Sequence, residues 1–196
     1  MATVRMPKVE KRIQPAFSPD DVRALLDACR NTRDHAIVLC LLDSGLRASE
    51  FVALRAHHVN LKTGAVMVRH GKGAKDRVSF LGAQARKALV RYLIERGHTD
   101  PDSPLWLSHN TGEALTTWGL GALLKRLGKR ANVAHCTPHT FRRTCALWSL
   151  RAGMSIYHLQ ALMGHADLTV LRRYLDLVES DAREAHKKHG PVDNLL

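Results

Sequence analysis

Long apolar runs are absent from this 196-residue chain: the longest, Ala36 to Leu42, has seven residues, whereas a helix crossing a bilayer needs about 20. No membrane partner is expected. A charged-then-apolar leader is lacking too, because Met1 to Gln14 is mostly polar and basic, so no secretory signal is expected. Aromatic residues make up only 5%, too few for a single-strand binder built on stacking platforms. Cysteines number four, with no CxxC pair. Cys29, Cys40 and Cys145 stand within apolar helical patterns, and the set reads as reduced thiols of a cytoplasmic protein. His135, Cys136 and His139 lie close together, yet no second ligand pair stands at zinc spacing and HEXXH is missing, so no metal site is expected. Acidic residues are the scarcest relative to their counterparts: 18 against 30 Lys and Arg, a net charge of +12 and a pI near 10.1. Such a balance serves solubility, and it is also the footprint of a polyanion binder. With so few aromatics, duplex phosphate is the partner that fits. What remains, 45% apolar and 24% charged, is ordinary globular composition and excludes disorder over the whole chain.

The pattern along the chain is mostly helical. Met1 to Phe17, with Arg5, Lys8, Lys11 and Arg12, reads as a basic arm or linker, and residues 18–196 as one domain. Ser18-Pro19-Asp20-Asp21 is a helix start: a capping serine, a proline in the first turn, and acids at the positive end of the dipole. Thr32 to Asp43 is apolar nearly all round, which predicts a central helix ended by Gly45 in a left-handed cap. A short helix follows from Ala48 to Leu54. The period then changes to two. Gly64 to Arg69 and Arg77 to Leu81 flank a Gly-Lys-Gly tip as a hairpin, and Leu105 to Ser108 is a third strand candidate. Helices are predicted over Ala83–Arg96, Thr116–Arg130, Thr137 to about Ala152, and Ser155 to Gly164. A last helical turn covers Leu168–Leu175, and a C-terminal helix Asp181–Lys188. The expected fold is mainly α with a small three-stranded antiparallel β-sheet.

Five features carry chemistry, and each has a dull alternative when taken singly. Arg47, in Gly45-Leu-Arg-Ala-Ser-Glu50, follows a helix break and projects from a tight corner. Lys72, with Lys75 and Arg77 near it, offers an ammonium on the hairpin tip, or simply a solvated turn. His139 and Arg142 stand at i and i+3 on the first turns of one helix, near an N-terminus suited to an anion. His165 sits just past the glycine cap of the next helix. Tyr174 comes nine residues later, where a lone tyrosine is usually a packing residue.

Taken together, in the order Arg, Lys, His-x-x-Arg, Gly-His and Tyr, these motifs resemble the catalytic domain of the tyrosine recombinases, the phage integrase family, including its Xer-type members. The resemblance runs from about Ser18 to the C-terminus. It implies a site-specific DNA recombinase that breaks and rejoins duplex DNA through a 3′-phosphotyrosyl intermediate, with neither metal nor cofactor. Tyr174 matches the nucleophile. Arg47 and Arg142 match the two guanidinium forks on the phosphate, Lys72 the general acid, His139 the group handling the nucleophile's proton, and His165 a further phosphate donor. Lys75 and Arg143 are additional phosphate-binding candidates. The residue types suit that chemistry. A tyrosine hydroxyl is ionised in only about one molecule in a thousand at pH 7, and nearby arginines favour the phenolate and the negative transition state. The resemblance also implies a homo-tetramer on paired sites, with Asp181–Lys188 docking on a neighbour, and leaves room for an accessory DNA-bending protein.

Departures are few. Arg143 stands where the family often has a second histidine after His-x-x-Arg, and Met163 replaces a frequent leucine, nearly conserving volume. Lys75 competes with Lys72 for the acid role. Only about seventeen residues precede the first helix, where many members carry a clamp domain, so a separated catalytic domain and a compact recombinase are both open. Two other functions also stay open: a DNA-binding accessory module that no longer recombines, and a topoisomerase-like nicking-closing enzyme.

Overall fold

A computed structural model of the chain describes residues 16–69, 76–97, 100–164, 183 and 186–187. Helix α1 (Pro19–Asp27) opens on a capping box in which Ser18 accepts from the Asp21 amide and Asp21 accepts from the Ser18 amide. This satisfies two donors that the first turn leaves without intrahelical partners. Helix α2 (Thr32–Ser44) is capped by Asn31 at its start and by Gly45 in the left-handed conformation, φ +59°, at its end. Gly45 has a second constraint: a β-carbon there would lie 2.9 Å from Cys145 Sγ. The one-turn helix α3 (Ala48–Val52) follows directly.

Strands β1 (Ala65–Val68) and β2 (Arg77–Phe80) pair antiparallel, with Val66 opposite Ser79 and Met67 opposite Val78. Val66 and Val68 turn into the core, while Met67, Val78 and Phe80 face solvent. The remaining helices are α4 (Ala83–Arg96), α5 (Thr117–Ala131), α6 (Pro138–Arg151) and α7 (Ile156–Met163). Helix α2 is the hub, packed against α4, α6 and, through Ser44, β2. Ile37, Val38 and Leu41 are wholly buried there. Phe17, at the end of the expected basic arm, is itself core. It packs edge-on against Phe141 with ring centres 4.9 Å apart, and its amide donates to Thr144 Oγ1 at 2.9 Å.

One expectation is corrected. Among the described residues the sheet has two strands, not three. Leu105–Ser108 forms only isolated bridges, Leu107 to Ala114 and, just before it, Pro104 to Arg55. The reason is the want of a continuous strand partner: Leu105 and Trp106 are both completely inaccessible, held by packing on either side instead of by a ladder of backbone bonds. Trp106 is stacked between Phe51 and Tyr92 at 4.9 and 5.6 Å. The backbone of the segment bonds to loops instead: the Leu105 amide to Leu54 O, and the Leu115 amide to Trp106 O. The last predicted helical turn and the C-terminal helix lie outside the described residues, apart from isolated positions.

Candidate active site

The left-handed turn at Gly45 throws Arg47, two residues on, to the head of α3, where it is the N-cap. Glu50, one helical turn on, accepts from the Arg47 amide at 2.8 Å and from its Nη1 at 2.8 Å. Arginine is a poor cap by itself, so the carboxylate of Glu50 supplies the polar closure. On α6, Thr137 caps the helix by accepting from the Thr140 amide, with Pro138 in the first turn. That start places His139 in the exposed first turn and Arg142 one turn deeper, where it is only 8% accessible. The Arg142 guanidinium is held by two backbone carbonyls, Gly45 O and Met163 O.

Arg47, Ala48, Thr137, Pro138, His139 and Arg142 line a single cleft of about 510 Å³. Arg47 and Arg142, far apart in sequence, therefore share one wall-to-wall space with His139. Desolvation, followed by the repulsion of Arg47, pulls the Arg142 pKa down to about 10, Glu50 opposing and Arg77 adding to the effect. The group still carries its charge at neutral pH. Desolvation, then the charges of Arg143 and Arg142, lowers the His139 pKa from its ordinary value, which favours the neutral imidazole with a ring nitrogen open to accept a proton. Arg143 is half-buried beside it. Lys72, Lys75, His165 and Tyr174 lie outside the described residues.

Two residues of the site's support, Glu50 and Arg77, stand within the motifs read from the sequence but carry no role of their own there. Glu50 is pinned between Arg47 and Arg77, with Arg77 Nη1 and Nη2 donating to its two oxygens at 3.0 and 2.7 Å. The signal for Glu50 was its position three residues after Arg47; Arg77 had none beyond adjacency to the hairpin tip. Burial alone would raise the Glu50 carboxyl, but hydrogen bonds from Arg77 and from the amide and side chain of Arg47 win and hold it at about 2. A carboxyl depressed below its ordinary 4.5 contributes its stability in full above that pH and loses it as pH falls toward 2. The gap in melting temperature between the native chain and Glu50→Gln is therefore expected to close between about pH 4.5 and pH 2. A gap that stays constant across that range contradicts the ion-pair origin of the effect.

The sequence matches the phage integrase family over residues 15–180. The chain belongs to that family. It is 31% identical over 193 residues to tyrosine recombinase XerA of Pyrococcus horikoshii, covering 98% of this chain and 67% of that protein. It is also 34% identical over 195 residues to tyrosine recombinase XerD of Ralstonia nicotianae, covering 95% and 61%. A crystal structure of XerA recombinase superposes with a TM-score of 0.81 at 32% identity, covering 94% of this chain and 67% of that one. The Tn1549 transposon integrase, solved in complex with a circular intermediate DNA, shares the fold at a TM-score of 0.72 and 18% identity. This chain thus spans about two thirds or less of the length of these relatives. The family and the class of enzyme, a tyrosine-type site-specific DNA recombinase, are those expected from the motifs. No helix among the described residues is long and apolar enough to cross a membrane.

Proposed function

We propose that this domain cleaves and rejoins duplex DNA by transient attachment of Tyr174 to a 3′-phosphate. The observation that carries the proposal is the cleft in which Arg47, Arg142 and His139 converge from two helices. Two guanidinium groups on one cavity form a clamp for a phosphodiester, whose nonbridging oxygens gain negative charge in the transition state. In the scheme, Tyr174 Oη attacks phosphorus, its proton passes to the neutral His139, and the P–O5′ bond breaks as Lys72 protonates the departing oxygen. His165, Lys75 and Arg143 add donors to the phosphates. The phosphotyrosine keeps the bond energy, and an incoming 5′-hydroxyl reverses the step.

The assembly reading goes with this one. Residues 18–196 form the catalytic domain, into whose core Phe17 packs, and the residues before Phe17 form a basic arm. Asp181–Lys188 docks on a neighbouring copy in a tetramer that pairs two duplexes, with or without a DNA-bending accessory protein. The cytoplasm, where the four free thiols stay reduced, is the compartment for that work.

The test is covalent trapping on randomly nicked duplex, where loss of a short fragment prevents religation. Detergent-resistant adducts are expected with the native chain and none with Tyr174→Phe, and sequencing them identifies the site. Duplex binding without adducts in either chain would replace this reading with that of a DNA-binding module.

A further inference from the structure

Helix α7 ends on three consecutive carbonyls, and each is taken by a different arginine. Arg77 Nε donates to Leu162 O at 3.0 Å, Arg142 Nη2 to Met163 O at 2.8 Å, and Arg47 Nη2 to Gly164 O at 3.0 Å. Two of the three, Arg47 and Arg142, line the cleft; Arg77 does not. Its side chain is 9% exposed and lies directly beneath the helix end: a β-carbon on Gly164, itself at φ +62°, would fall 2.8 Å from Arg77 Cδ and Nε. The far side of the same guanidinium forks Glu50, whose side chain is 7% exposed.

We propose that Arg77 is a positioning residue for phosphoryl transfer, acting through Glu50 on Arg47; this rests on the phosphate-binding role given above to Arg47. The balance of charge explains the need for it. Glu50 is a nearly buried carboxylate one turn from Arg47. Alone with Arg47 it would close a bidentate pair, the preferred geometry of the two groups, and cancel the charge meant for the substrate. Arg77 occupies both Glu50 oxygens and neutralises that carboxylate. Arg47 keeps one ion-pair contact to Glu50 from Nη1 and a bond from Nη2 to Gly164 O, and two guanidinium groups against one carboxylate leave a net positive charge beside the cleft. Through Leu162 O the same arginine fixes the height of the α7 end, on whose next carbonyl Arg142 is seated. Lysine does not reproduce this, because a point charge lacks the fork that holds two carboxylate oxygens and a carbonyl together.

The experiment is single-turnover cleavage, by the full chain, of the nicked duplex recovered in the trapping experiment. It uses Arg47→Ala, Arg77→Met, Glu50→Gln and the double variant Arg77→Met with Glu50→Gln, each checked for a cooperative melt. Arg77→Met is expected to slow cleavage about a hundredfold, the usual result of displacing a reacting group's partner by an ångström. Removing the carboxylate as well is expected to recover at least about tenfold of that loss. A residue needed only for packing would give a double variant as slow as the single one or slower, and that result overturns the proposal. If Arg77→Met does not fold, Arg77→Gln takes its place in the same comparison. Native cleavage rates in Arg47→Ala would instead overturn the reading of the phosphate site itself. Loss of cleavage in Arg47→Ala with none in Arg77→Met overturns only the role of Arg77.

Discussion

Substituting lysine for Arg142 is expected to slow DNA cleavage by about three orders of magnitude, while duplex affinity falls far less. The difference follows from where the guanidinium sits. Arg142 is fixed on both sides by Gly45 O and Met163 O, so its remaining surface is presented to the cleft without loss of rotamer freedom on binding. A donor held in this way toward developing charge contributes about a hundredfold to a thousandfold, and arginines on a transferring phosphoryl group reach higher values. Lysine keeps the charge, but its donors radiate from one nitrogen, which cannot span two carbonyls that meet separate guanidinium nitrogens and still face the cleft. The net charge of +12 is spread over the chain, so general attraction to the duplex changes by only one contact's share. Rates from single-turnover cleavage and affinities from titration at fixed salt separate the two effects. An equal loss in both would make Arg142 a docking residue rather than a participant in the chemistry.

Much of this site was legible in the sequence because local rules placed its parts. Glycine at position 45 predicted a left-handed helix end, and that turn delivers Arg47. Thr137-Pro138 predicted a helix start, and that start sets His139 and Arg142 on one face. What local rules do not reach is the long-range pairing. Nothing near Arg77 announces that its fork meets Glu50, because one stands on β2 and the other on α3, and they meet only in the folded chain, beside the end of α7. The third strand failed for a related reason. Leu105-Trp106-Leu107 has the composition of a strand, but a strand is defined by partners as well as by propensity. Here a large indole filling the space between two other rings decided the backbone path. Burial of Phe17 belongs to the same class: its neighbours, Pro15-Ala16 and Ser18-Pro19, set no helical or strand period around it, and the contact that orders it is with Phe141 on a distant helix.

That indole is the site of the second large effect. Trp106→Ala is expected to lower stability by about 3–5 kcal/mol, the usual cost of deleting a fully buried aromatic side chain. For a chain of this size the melting temperature falls by roughly 10 °C. Phe51, stacked on Trp106 at 4.9 Å, is the residue after Glu50, so the cavity opens directly under α3. Loss of the stack therefore loosens the helix that carries Arg47 and Glu50, and cleavage is expected to decline in chains that remain folded. Trp106→Phe separates the volume of the ring from its polarity. The indole Nε1 is buried with no hydrogen-bond partner among the described residues, and an unmet buried donor costs about 1–3 kcal/mol. Phenylalanine removes that donor along with part of the volume, so the two terms oppose one another and the net change is expected to stay within about 1.5 kcal/mol. Denaturant unfolding of both variants checks the pair of values. A Trp106→Phe chain as unstable as Trp106→Ala would mean that Nε1 is satisfied in solution and that the indole is held by its polarity as much as by its stack.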